Sequence, residues 1–222
     1  MAKSRTASNP APMKPPAKKS HGHPSPKDGP ILAAAEVLDF WFSLEKPGKK
    51  DDRRVRRTLG ATHQRAAEGR LDDWGETPRG RLALVVLLDQ VPRHLFRGQP
   101  RSHASDEKAQ GLTGRFFDQE DWEGFSPLEK YYAVMPWLHA EHREQQERVN
   151  PVIHALAGEI PDLAFMGEIA DLYRATIARF GRFPHRNALL GRRSSEEERE
   201  FLARVWFPRR REIQRARRRR EI

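Results

Sequence analysis

The sequence contains no cysteine among its 222 residues. Disulfide bonds and zinc sites with thiolate ligands are therefore excluded. Long apolar runs are also missing, because the longest one, residues 82–88, is far shorter than the roughly 20 residues that a membrane-spanning helix needs. The N-terminus lacks the apolar core of a secretory signal. We therefore expect a cytoplasmic protein without a membrane span.

β-Strand signals are missing as well. From Pro30 onward, apolar and polar residues do not alternate, and no Asn-Gly or Asp-Gly pair marks a hairpin turn. The apolar residues fall instead in blocks of helical length, which predicts an all-α fold. Short connections between the blocks favour antiparallel helical hairpins packed side by side, although no repeat of fixed period is present.

Helix starts are marked by N-cap residues, by proline at the first helical position, and by capping boxes. A highly charged helix is expected at about residues 51–68, and a further helix is expected at about residues 162–180. The start signals predict helices beginning at Pro30, Thr77-Pro78, Ser105, Ser126, Met135-Pro136 and Ser195.

Charge is concentrated at the two ends of the chain. The net charge is +10, but residues 1–29 contribute +5 and residues 208–222 contribute +6, which leaves −1 for residues 30–207. We expect a disordered Pro/Lys-rich tail over 1–29, a single all-α domain over 30–207, and an Arg-rich C-terminal tail over 208–222. Nucleic-acid binding is then expected only through the basic tails, and a solvated end without a specific partner is the alternative.

The first polar segment follows the apolar block and contains Asp89, Gln90, Arg93 and Arg97. If the helix resumes after Pro92, the two arginines share one face. Guanidinium groups bind carboxylate or phosphate through paired hydrogen bonds, so one interpretation is an anion site. The other is an internal Asp89-Arg93 pair that stabilises a kink.

The second polar segment begins at Met135-Pro136 and is interpreted as one long polar helix that contains His139, Glu141 and His142. On such a helix His139 faces the same side as His142. Two histidines beside carboxylates could hold a divalent metal, but the spacing is not that of a known zinc motif and no thiolate is present. Solvated or hydrogen-bonded histidines are the favoured interpretation, so we expect neither metal nor cofactor.

The third polar segment, Arg-Phe-Gly-Arg-Phe-Pro-His-Arg-Asn at residues 179–187, mixes arginines with two phenylalanines and continues to Arg192. Proline restricts the residue before it, so a helix should stop near 179–181 and an ordered loop should follow. One interpretation is a cationic wall that orients a ligand through Arg182, His185, Arg186, Asn187 and Arg192. The alternative is a loop whose polar side chains join two helices.

Four groups of residues, in order and spacing, resemble the motifs of the DUF924 family of bacterial proteins. They are the run 37–42, the segment 88–98, Met135-Pro136 with His139 and Glu141, and the segment 179–192. The resemblance covers about residues 32–207. It implies an all-helical fold similar to tetratricopeptide-repeat domains, as a bundle or solenoid, and no established activity.

Three positions depart from the usual pattern of this family. Val91 stands where an aromatic residue is usual, His94 where Asn is common, and Ala140 where a small hydroxyl residue is usual. If that hydroxyl were a nucleophile, Ala140 would make this protein inactive. The simpler interpretation is that the chemistry does not depend on it.

The favoured functional hypothesis is a site that binds an anionic small molecule, formed by Arg and His side chains of a helical scaffold. Catalysis is left open, with His139 or His185 as the general base or acid. The alternative is a tetratricopeptide-like interaction module in which the same arginines hold an acidic peptide or a C-terminal carboxylate. The sequence indicates neither the ligand nor the oligomeric state.

Overall fold

The computed structural model describes residues 29–44 and 47–220, so the predicted N-terminal tail over 1–29 lies outside the described residues except for its last residue. The described chain is helical and contains no β-strand, which confirms the all-α prediction. None of its helices is long and apolar enough to cross a membrane. The α-helices are α1 Ala34–Phe42, α2 Asp52–Ala67, α3 Pro78–Val85, α4 Val91–Leu95, α5 Asp106–Gln119, α6 Pro127–Leu138, α7 Arg143–Glu159, α8 Met166–Phe180, α9 Glu196–Phe201 and α10 Phe207–Arg220.

The first core cluster surrounds α3, which continues through a π turn at Val86–Gln90 into α4. Residues 82–88 are almost completely buried on every face because α1, α5 and α6 pack against α3 while α2 packs against α4. Residues 82–88 are apolar on all sides because no side of this helix faces solvent. This central helix therefore places Asp89 at the end of a rigid, buried element.

Two further clusters complete the core. One lies among α6, α7 and α8, and it includes Ile213 of α10, which is 3% exposed. The other joins α8 to Phe183, Phe201 and Trp206. From α5 to α8 each helix packs against the next along the chain. The tetratricopeptide-like arrangement stays a prediction. The domain boundary expected after residue 207 also stays a prediction, and α10 continues across it as one helix.

Three predicted helix starts have the expected caps. Thr77 accepts a hydrogen bond from the backbone of Gly80 at 3.2 Å, with Pro78 at the first helical position. Ser126 and Ser195 form reciprocal capping boxes with glutamates three residues later. Ser105 lies at the N-cap of α5 but donates its hydroxyl to a distant carbonyl instead. The start at Pro30 is wrong, because α1 begins at Ala34.

The predicted long helix from Met135-Pro136 is also wrong. Pro136 lies in the last turn of α6, which ends at Leu138, and α7 begins at Arg143. The buried Gln146 of α7 explains the break, because its Nε2 lies within hydrogen-bond distance of three carbonyl oxygens at the end of α6. His139 and Glu141 consequently lie in a tight connection between helices and not along a helix face.

Candidate functional site

The site begins at the π turn between α3 and α4. The Val91 N–H bonds to the Val86 carbonyl five residues back, so the Leu87 carbonyl loses its usual helical donor. The His63 Nδ1 donates to that carbonyl at 2.8 Å. A single π turn inside an α-helix is often associated with function because it re-aims the side chains around it.

Pro92 leaves a second backbone carbonyl of this region without its helical hydrogen-bond donor. Because proline has no N–H, the Leu88 carbonyl four residues before it is also released. The Ser105 hydroxyl donates to this carbonyl at 3.0 Å. The π turn is thus stabilised from both sides, by α2 and by the start of α5, and these contacts hold Asp89 in place.

Asp89 is completely buried and contacts His139, with the Nδ1 atom 3.0 and 3.1 Å from its two carboxylate oxygens. Burial alone would raise the pKa of this carboxyl, but the charge of Arg93 and the bond to His139 hold the pKa well below its usual range. Asp89 is therefore ionised, and His139 must donate from Nδ1. This leaves Nε2 as the unprotonated nitrogen of the neutral ring.

Burial lowers the pKa of His139, and the positive charges of Arg93 and Arg186 lower it further against the opposing effect of Asp89. The imidazole is consequently neutral at pH 7. Within the described chain its Nε2 has no hydrogen-bond partner. His139 therefore offers an oriented acceptor for a proton.

Arg93 connects this pair to a second one. Its Nη2 lies 3.0 Å from the Asp89 carboxylate, four residues back, and 3.2 Å from the Asp106 carboxylate. The other oxygen of Asp106 lies 2.9 Å from Nδ1 of His103. Sequence reasoning missed both His103 and Asp106, although a His and an Asp three residues apart at a helix start are a local signal that was present.

Arg186 differs from the neighbouring arginines because it is buried and has no carboxylate partner in the described chain. It is 9% exposed, and its guanidinium lies 4.6 Å from the centre of the Phe183 ring. Burial and the nearby charge of Arg93 lower its pKa, while Asp106 and Glu141 oppose this effect. Among the residues that the structure describes, none accepts a hydrogen bond from this guanidinium and no carboxylate lies within 4.0 Å of it.

Three other polar side chains of the third segment, Arg182, Asn187 and Arg192, form hydrogen bonds or ion pairs. Arg192 forms a bidentate ion pair with Glu141 at 2.5 and 2.8 Å, and Glu141 also accepts the Phe183 N–H at 2.7 Å. Burial would raise the pKa of Glu141, but the bond to Arg192 lowers it. This pair fastens the loop after α8 to the connection between α6 and α7.

A second fastening lies on the other side of the loop. The carboxylate of Glu198, a residue 2% exposed, accepts two bonds from Arg182 at 2.6 and 2.9 Å and one from Asn187 at 3.2 Å. These bonds, that of Arg182 foremost, lower the pKa of Glu198 to about 2. Arg182 and Asn187 thus have the joining role that was the alternative for this loop.

The three polar segments therefore meet in space. Asp89 and His139 join the first to the second, Glu141 and Arg192 join the second to the third, and Arg186 interacts electrostatically with Arg93. The internal Asp89-Arg93 pair considered above is present. Across residues 29–44 and 47–220, no group of three or more His, Asp or Glu side chains is placed to hold a metal ion.

A sequence model described as bacterial protein of unknown function (DUF924) matches residues 33–205. The chain belongs to this family. The solved structure of a protein of unknown function from Agrobacterium tumefaciens is also similar, with 32% sequence identity, 76% of this chain and 96% of that chain covered, and a TM-score of 0.67. The comparison with curated proteins gives no match.

The remaining candidate residues of this DUF924 protein lie at the edge of the site or outside it. Gln90 donates to the Asp89 carboxylate. Arg97 follows the end of α4 and forms a bidentate ion pair with Asp52 at 2.6 and 2.8 Å. It therefore pairs with a different carboxylate from those that Arg93 contacts. His94 bonds to the same aspartate at 2.9 Å. Position 97 thus fastens α2 to the end of α4.

His185 has an unusual environment in the DUF924 fold. Its ring stacks on Trp206 at 4.3 Å, and its Nδ1 is buried without a hydrogen-bond partner in the described chain. Burial and the charge of Arg186 lower its pKa to about 3. His185 is thus a neutral ring at pH 7 that packs like an aromatic side chain. Its assignment as an acid or base stays a prediction.

The three departures from the family pattern lie at positions with structural roles. Val91 and Ala140 are completely buried, and the Ala140 carbonyl accepts a hydrogen bond from Gln146 that any residue type could accept. His94 packs edge-on against Trp41 and bonds to Asp52. None of the three contacts Asp89, His139 or Arg186 through a hydrogen bond within the described chain.

Proposed function

We propose that this DUF924 protein binds an anionic small molecule at Arg186, beside Arg93 and His139. The observation that carries the proposal is the guanidinium of Arg186, a residue 9% exposed, for which the described chain supplies no hydrogen-bond acceptor and no ion pair. None of its nitrogens is among the completely buried polar atoms without a partner, so they keep contact with solvent, from which a ligand can approach. A partly desolvated charge without a partner is destabilising, and a bound anion would offset this because guanidinium groups match carboxylate and phosphate oxygens geometrically.

The neighbouring cations support a single small anion. Arg93 is shared between Asp89 and Asp106, Arg192 is paired with Glu141, and Arg182 is paired with Glu198. Arg186 is the cation of this cluster whose charge is left for a ligand. His139 adds a neutral imidazole that can accept a proton from the bound molecule.

The same ion pairs count against the acidic-peptide alternative. A peptide with several carboxylates, or a C-terminal carboxylate held by several donors, requires side chains that are free to form new bonds. Arg182, Asn187 and Arg192 already hold the loop to Glu198 and Glu141. The small-anion function is therefore the better supported of the two.

A thermal-shift panel of inorganic phosphate, sulfate, acetate and citrate tests this function. An anion at a hundred times its dissociation constant adds about 2.7 kcal/mol to the free energy of unfolding, which at roughly 2 to 4 °C per kcal/mol raises the melting temperature by about 5 to 11 °C. We expect this shift in the wild type and its loss in Arg186→Gln. The matched control is Arg204→Gln, which removes a 78% exposed arginine from the surface.

The stability of Arg186→Gln without anion separates binding from a structural role. Because the guanidinium keeps contact with solvent and has no partner in the described chain, the variant should unfold within about 1 kcal/mol of the wild type, and the interaction lost is the cation-π contact with Phe183. A shift that persists in Arg186→Gln would refute the assignment. A variant that is much less stable without anion would instead show that Arg186 is a structural residue.

A further inference from the structure

Two histidines of the site are held in the same way. His103 bonds through Nδ1 to Asp106, and His139 bonds through Nδ1 to Asp89. The two aspartates contact the same Nη2 atom of Arg93, at 3.2 and 3.0 Å. The two His-Asp pairs are therefore linked by ion pairs of Arg93 into one polar network, which joins the π turn, the start of α5 and the connection after α6.

This arrangement fixes the orientation of both rings. A carboxylate that accepts the Nδ1 proton sets the tautomer of an imidazole and presents its Nε2 to the other side. Neither Nε2 has a hydrogen-bond partner in the described part of the chain. The side chains of His103 and His139 are 18% and 14% exposed, so each ring is largely buried and still reaches the surface of the protein.

Both rings belong to the surroundings of Arg186. His139 interacts electrostatically with Arg186. His103 interacts with His185, the residue next to Arg186 in the chain, and Asp106 interacts with Arg186 itself. The charges of both His-Asp pairs are therefore close enough to influence Arg186 or the residue beside it.

We propose that His103 and His139 are an acid-base pair for the hydrolysis of a phosphate ester that is bound at Arg186. The inference rests on the proposed anion site. As a water oxygen bonds to phosphorus, Nε2 of one imidazole takes a proton from that water. The phosphorus-oxygen ester bond breaks with its electron pair on the leaving oxygen, which takes the proton carried by Nε2 of the other imidazole. The products are inorganic phosphate and an alcohol, and solvent then takes the proton from the first imidazole and supplies one to the second.

A phosphate ester suits this site because one group carries both the anionic charge and the bond to be broken. Arg186 is a single unpaired cation, so anchoring and reaction must occur at one centre. Hydrolysis requires one proton to be removed and one to be supplied, and the two imidazoles match these needs. His139 is assigned as the base since it is neutral at pH 7, and His103 is the acid.

The test compares phenyl phosphate with 4-nitrophenyl phosphate, using the full chain and measuring kcat. The 4-nitrophenolate is a stable leaving group that needs little protonation, whereas phenolate needs an acid. We expect His139→Gln to lower kcat at least 100-fold for both esters. His103→Gln should lower kcat for phenyl phosphate at least tenfold more than for 4-nitrophenyl phosphate, which a merely structural role would not do.

The matched control is His154→Gln, because His154 also forms a pair with an aspartate, Asp171 at 3.1 Å, but lies on the surface with 48% of its side chain exposed. This variant should keep the wild-type kcat. Inorganic phosphate binding, measured by calorimetry, should stay within threefold of the wild type in His154→Gln. Asp106→Asn should lower kcat for phenyl phosphate more than for 4-nitrophenyl phosphate, since it alters the hydrogen bond that orients the His103 ring.

The outcomes separate the two proposals. Phosphate binding that is lost in Arg186→Gln, without turnover of either ester above the Arg186→Gln background, overturns the hydrolysis and keeps the anion site. Equal losses on both esters in His103→Gln overturn its role as the acid. If the wild type does not bind phosphate, both the phosphate ester and the phosphate site are wrong.

Discussion

Glu198→Gln tests how strongly the buried carboxylate of Glu198 stabilises the loop that carries Arg186. Glu198 is 2% exposed and accepts bonds from Arg182, Asn187 and the backbone of Ser195. Its pKa of about 2 in the folded protein, against an ordinary 4.5, corresponds to about 3 kcal/mol of stability at about 1.4 kcal/mol per pKa unit. We expect the variant to lose about this amount near pH 6.

The pH dependence follows from the direction of that shift. Because the folded pKa is lowered, the stabilisation is complete above the unfolded pKa of 4.5 and is lost as the pH falls towards 2. Urea unfolding of wild type and variant should give a difference of about 3 kcal/mol at pH 6 and about 1.5 kcal/mol at pH 3.

The neighbouring residue provides the control. Glu197 forms a comparable ion pair with Arg179, at 2.7 and 2.9 Å, but its side chain is 61% exposed. Surface pairs of this kind contribute about 0 to 1 kcal/mol, so Glu197→Gln should change little. Equal losses in the two variants, or a difference for Glu198→Gln that does not change between pH 6 and pH 3, would refute the reasoning.

Three further predictions concern stability. Gln146→Leu should lose about 3 kcal/mol in urea unfolding, because up to three carbonyls at the end of α6 lose a buried donor. His185→Phe should gain about 2 kcal/mol relative to wild type between pH 7.5 and pH 5, since a histidine whose folded pKa is lowered to about 3 favours the unfolded, protonated state below 6.5; a gain that does not change with pH would contradict this. Ile213→Ala should cost about 2 to 4 kcal/mol in thermal unfolding, and a chain ended after residue 207 should be at least as destabilised.

Local signals in the sequence predicted the helices well. The capping boxes at Ser126 and Ser195 are within four residues of their partners, so the chain itself contains all that determines those starts. Met135-Pro136 misled because proline is common at a helix start, yet α6 had already begun at Pro127. The break after Leu138 depends on Gln146, a side chain from the next helix, which no local pattern reveals.

The site shows the same division between local and distant causes. Its residue types and the Asp89-Arg93 pair followed from spacing. The contact between Asp89 and His139 joins residues 50 positions apart, and only the packing of α3 against α6 creates it. Arg97 looked equivalent to Arg93 in the sequence, but α4 ends before it and Asp52 takes its charge.

The π turn at Val86–Gln90 makes the geometry of the site sensitive to the deletion of a single residue. A π turn amounts to one residue more than a regular helix would hold, and each residue of an α-helix advances the chain by about 100° around its axis. Deleting one residue of this turn would restore a regular helix while rotating everything after it by that angle. If the deleted residue precedes Asp89, that carboxylate and Arg93 rotate together relative to α3 and to α6, which packs against it. Asp89 would then no longer face His139, although every flanking helix could still form.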